Sequence, residues 1–143
     1  MPRQAIKQRL ISLFLAAAVL IPAGLLLAPV SWGRIAYNTI DSVARIGDNG
    51  RQVIVTGPIE CDGGQRSDLR VTVTQRTTGA VAEGRTVITC SGGQQQWEVR
   101  ASTQGNKTFE AGPAIAVALA TTSIAGETDD AHQWLVNITL TGP

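Results

Sequence analysis

Histidine and cysteine are almost missing from this chain, with one His and two Cys in 143 residues. So few ligands argue against a protein zinc site. No Cys-x-x-Cys occurs, which argues against a redox pair. No Gly-x-Ser-x-Gly occurs either, and no other nucleophile motif stands beside the histidine. The net charge is only +1, so the charge balance gives no nucleic-acid footprint of the basic kind. Strand–helix alternation is missing, which argues against a parallel nucleotide-binding sheet. Gly63-Gly64 and Gly92-Gly93 precede no helix pattern and read as turns rather than phosphate loops. No tandem repeat of fixed period is found. Aromatics make only 4% of the chain. What remains is 43% apolar, too much for a disordered chain. The length suits one domain.

That apolar content is unevenly spread. Residues 1–33 hold 21 apolar side chains. Arg3, Lys7 and Arg9 form a basic start with no acid, and Leu10–Val30 then runs uncharged for 21 residues. A basic region followed by an apolar one is the pattern of an export signal. Small residues at Ser31 and Gly33 suit cleavage after Gly33. Ser42-Val43-Ala44 also fits the rule, but it lies far from the apolar run and inside an expected strand. The run is also long enough to span a bilayer as a retained anchor, with Trp32 at the interface. Both readings give an N-terminal apolar export or anchor helix and place residues 34–143 outside the cytoplasm.

Residues 34–143 carry 9 Lys/Arg against 11 Asp/Glu, a net charge of −2, and 13 of the 15 glycines. Threonine is abundant and period-two alternation recurs, which predicts short strands and turns. The expected strands lie at 40–46, 52–60, 69–74, 81–90, 97–101, 114–120 and 134–140. Gly47-Asp48-Asn49-Gly50 is a strong turn. Pro58 suggests an edge position or a bulge, and Gly84 a bulge or break. Ala114–Ala120 could be read as a short helix, but Gly112-Pro113 before it favours a strand. Residues 126–131 read as an acidic loop. About seven strands at this spacing predict an all-β, immunoglobulin-like antiparallel β-sandwich.

Cys61 and Cys90 are an even pair in a chain that reads as exported, so a disulfide is expected. Closing a loop of that size contributes about 3–4 kcal/mol in the chain-entropy model. A small domain with few aromatics gains from such a staple. His132, after Asp129 and Asp130, could serve as a general base, or be a solvated loop residue. Glu127, Asp129 and Asp130 could offer oxygens to calcium, but the EF-hand spacing is absent. Trp97 and Trp134 lie in phase with apolar neighbours and read as core anchors, with sugar binding as the sharper alternative. Asn106-Lys107-Thr108 and Asn137-Ile138-Thr139 match the glycosylation sequon, which matters only in a eukaryotic secretory host.

Residues 60–120 carry a linear pattern. It comprises Cys61, Gly63-Gly64, Val71-Thr72-Val73-Thr74-Gln75, Gly84, Cys90-Ser91-Gly92, Gln95-Gln96-Trp97-Glu98-Val99 and Phe109-Glu110-Ala111-Gly112-Pro113-Ala114. This resembles small exported single-disulfide domains of unknown function from actinobacteria and related bacteria. The resemblance covers somewhat under half the chain. It implies an immunoglobulin-like sandwich with one disulfide and transfers no catalytic residue. Thr121–Pro143 shows no motif of that family.

The sequence therefore points to an exported, non-enzymatic β-domain acting by contact at the cell envelope. The rival reading is a structural domain on a membrane stalk formed by residues 10–30. No cofactor is implied, and the partner is an unspecified envelope or extracellular component rather than nucleic acid.

Overall fold

A computed structural model describes residues 35–142. The expected leader, its cleavage site after Gly33 and its membrane span lie outside the described residues. Within them no helix is long and apolar enough to cross a membrane.

Eight strands follow one another: β1 (Ile35–Asn38), β2 (Val43–Gly47), β3 (Gln52–Cys61), β4 (Arg66–Gln75), β5 (Ala80–Thr89), β6 (Gln94–Thr103), β7 (Gly112–Ile124) and β8 (Glu127–Thr141). β1 and β2 lie end to end along one side of β3, and β6 takes its other side. From there the ladder continues through β5, β4, β7 and β8. Val43–Arg45 then pair in parallel with Thr139–Thr141, returning the sheet to β2. The sheet thus closes on itself as a seven-stranded barrel, β2 to β8, with β1 as a short extension beside β2.

This corrects the expected sandwich. The all-β class holds, but the immunoglobulin-like pair of facing sheets does not form. Strand count and spacing are alike in both architectures; what separates them is which strands meet. The inward row of β7 is Ala114, Ala116, Ala118 and Ala120, all buried. Across the ladder these alanines face Ile138, Val136, Trp134 and His132 of β8. Small residues beside larger ones let a narrow barrel fill without voids. The rest of the interior is aliphatic, with Val53, Val55, Ile59, Leu69, Val71, Val73, Val99 and Leu140 sealed from solvent.

Local expectations are corrected too. The expected first strand, 40–46, starts only at Val43, and residues 39–42 are a break that separates it from an earlier strand, Ile35–Asn38. Opposite that break sits Pro58, whose carbonyl accepts the Thr39 amide at 3.3 Å. In an extended strand a residue's N–H and C=O face the same neighbour, so the N–H that Pro58 lacks faces the interruption. Pro58 is therefore flanked on both sides rather than at an edge. The turn at 47–50 forms as expected, with Asp48, Asn49 and Gly50 all at positive φ. Residues 127–131, expected as an acidic loop, are the start of β8, and the reversal is confined to Ala125-Gly126. Gly84 causes no break in its pairing with β4, where it faces Val71. On its other side the ladder stops: β5 and β6 pair only through Ala82–Thr103 and Glu83–Ser102.

The two ends of the barrel differ. At one end Phe109 is buried, and its amide donates to the Gly50 carbonyl at 2.9 Å. Gln75 is buried beside it and locks the β6–β7 connection. Its Nε2 donates to the Glu110 carbonyl at 2.8 Å, and its Oε1 accepts the Glu110 amide at 2.9 Å. The opposite end carries the disulfide and the polar groups described next.

Candidate functional site

The Cys61–Cys90 disulfide is present, with a Cα–Cα distance of 5.4 Å. It ties the end of β3 to the end of β5, across the start of β6. This is where the β5–β6 ladder is missing, so a covalent link stands in for backbone hydrogen bonds. Gln95 adds to the bridge: its Nε2 donates to the Thr89 carbonyl at 3.1 Å, and its Oε1 accepts the Ser91 amide at 2.7 Å.

Around the same end the inward phase of the strands turns polar. Ser67 continues the row Leu69–Val71–Val73, and Thr122 continues the alanine row of β7; both are fully buried and they face each other across the ladder. Asp129 is drawn inward at an irregularity in the β7–β8 register. Its carboxylate accepts the Thr122 hydroxyl at 2.8 Å and the Gln65 amide at 3.4 Å. Hydrogen bonds to the charged form are what make a half-buried carboxylate tolerable there. The Ser67 hydroxyl, the Gln65 Oε1 and the Trp134 Nε1 are enclosed without a hydrogen-bond partner among the described residues.

Asp130 turns the other way, toward β1. It accepts the Ile35 amide at 3.0 Å and the Ala131 amide at 2.9 Å. His132 lies 3.5 Å from it through Nε2, while Asn38 donates to His132 Nδ1 at 3.3 Å. With Nδ1 accepting, the ring proton sits on Nε2 and faces the acid. These side-chain bonds span the gap between β1 and the first half of β8, where the backbone ladder is not formed. His132 is thus a strut on the barrel wall. Its described neighbours are the Asn38 amide and the Asp130 carboxylate.

The three acids proposed for calcium do not converge. Asp129 serves Thr122 and Gln65, Asp130 serves Ile35, and Glu127 is exposed at the hairpin tip. Among the described residues no group of three or more His, Cys, Asp or Glu could hold a metal ion. Trp97 is buried and donates to the Pro58 carbonyl at 3.3 Å; Trp134 packs partly buried against the core. Both act as core anchors. Asn137 is exposed mid-strand on β8, and Asn106 is exposed in the β6–β7 connection.

Sequence reasoning missed Gln65, Ser67, Thr122 and Asn38. A signal existed for two of them, because Ser67 and Thr122 are polar residues in an otherwise apolar phase. Gln65 and Asn38 lie outside any alternating run.

Compared with known proteins, the chain matches no protein-family model and no curated protein.

Proposed function

We propose that the chain is an exported protein whose barrel works by surface contact at the cell envelope, without catalysis. The Cys61–Cys90 bridge carries this reading, since such bonds persist in oxidising compartments. The basic start and uncharged run at Leu10–Val30 agree with it. The barrel axis is filled by Val53, Val55, Leu69, Val71, Val73 and Val99, which leaves the outer faces and rims to meet a partner. The rival reading is a structural domain on a membrane stalk, with residues 10–30 retained as an anchor.

Mass spectrometry of the exported protein separates the two. A mature N-terminus at Arg34 means a cleaved leader, and an intact Leu10–Val30 means an anchor. Non-reducing peptide mapping should return a Cys61–Cys90 linked pair. Free thiols at both positions in the native protein would remove the main support for export. Turnover in a broad hydrolase screen that disappears in His132→Ala would overturn the non-enzymatic reading.

A further inference from the structure

The outward faces of the barrel are not alike. On β6 the outward residues include Glu98 and Arg100, which pair with each other at 3.1 Å. The β7–β8 face is different: from Pro113 to Ser123 and from Gln133 to Thr141 there is no charged residue. Its exposed members include Leu119 at 37% and Leu135 at 60%, with Leu135 directly across from Val117. Val43, 51% exposed, extends the panel at its β2 side, beside Thr139. Arginines frame it. Exposed Arg66, Arg70 and Arg76 line the β4 border, with Arg70 directly across from Leu119. Arg45 stands on the β2 border. The one acid on the β4 border, Asp68, is held by Arg85, and this contact raises the Arg85 pKa further above its ordinary value. The acids Glu127, Asp129 and Asp130 lie at the hairpin end of the panel.

We infer that this panel rests on an anionic phospholipid surface, an assignment that itself depends on the envelope location proposed above. Exposed aliphatic side chains in an uncharged field gain by leaving water. Guanidinium groups around them suit lipid phosphates, which they can grip with two hydrogen bonds. A second copy of the chain fits less well, because its own arginine borders would be brought toward these. In the sequence, four residues, 31–34, separate the apolar run ending at Val30 from Ile35.

The test places an environment-sensitive dye on the full chain at Leu135→Cys, with Gln96→Cys on β6 as the opposite-face control. Val43→Cys serves as a second panel site should Leu135→Cys fail to fold. The chain is reconstituted in vesicles of phosphatidylglycerol and phosphatidylcholine, or of phosphatidylcholine alone. In the anionic vesicles, quenching by a lipid-borne quencher should be at least threefold stronger at 135 than at 96. Replacing Arg66, Arg70 and Arg76 by Gln, or adding salt, should reduce that ratio at least twofold. Equal quenching on both faces overturns the proposal. So does a fully shielded dye at 135 in detergent with a doubled particle mass, which identifies a second copy. The same shielding produced by soluble polyglutamate without lipid identifies an acidic polypeptide and overturns it as well. A dye site that a membrane-impermeant thiol reagent cannot reach in intact cells contradicts the envelope location itself, whatever the vesicles show.

Discussion

A methyl group added at Gly84 would lie 2.5 Å from the Arg100 carbonyl oxygen and 2.6 Å from Val99 Cγ1. Backbone and core both resist there, so Gly84→Ala should cost about 1–3 kcal/mol in urea unfolding. Gly93 faces open space and has no left-handed backbone, so Gly93→Ala should be neutral or slightly stabilising in the same assay. Similar losses for both would show that close approach is not what requires glycine at 84. Ser67 gives the opposite kind of prediction. Its hydroxyl is buried without a partner among the described residues, so Ser67→Ala should leave stability unchanged or raise it. A loss above about 1 kcal/mol would mean that the hydroxyl is satisfied in solution. Gly84 stood out in the sequence as an irregularity, but its reason did not. The close neighbour is Arg100, sixteen positions on, and alternation within one strand carries no information about that contact.

Between elements, the weakest join is β5 with β6. Two ladder pairs hold the base of this hairpin, and the disulfide with Gln95 holds its upper half. Replacing both cysteines with alanine should cost about 2–5 kcal/mol. Hydrogen exchange in that variant should rise first in 84–89 and 94–96, ahead of β4 and β7, whose ladder runs from Arg66–Ser123 to Thr74–Ile115. Uniform loss of protection would show that the bridge acts on the whole fold instead of on this seam. Most strands were legible because alternation in Leu69–Val71–Val73 or Trp97–Val99–Ala101 reports one buried face. The start of β8 was not legible. Glu127, Asp129 and Asp130 suggested a loop, yet pairing with β7 and the bonds to Thr122 and Ile35 hold them extended. Tertiary partners overrode local preference there.

For the whole molecule, the difference between sandwich and barrel rests on three residue pairs, Val43–Thr139, Ala44–Leu140 and Arg45–Thr141. Alternation shows which face of a strand is buried but not which strand lies beside it, so closure was invisible in the sequence. The alanine row of β7 was visible, yet it read only as one more strand. Deleting residues 139–143 should abolish the cooperative thermal transition, followed by near-ultraviolet circular dichroism. A truncated chain that still melts cooperatively within a few degrees of the full one would show closure to be dispensable. The same three pairs also set a time order. β2 is made before β8, so β2 must wait for a partner almost a hundred residues downstream. Such long-range pairing is slow. During synthesis the nascent chain is an open sheet with two unsatisfied edges, and it becomes a barrel only after Thr141 has emerged. Protection of those edges in the interval falls to the surroundings, so the hazard is greatest in the moments before Thr139–Thr141 reach β2.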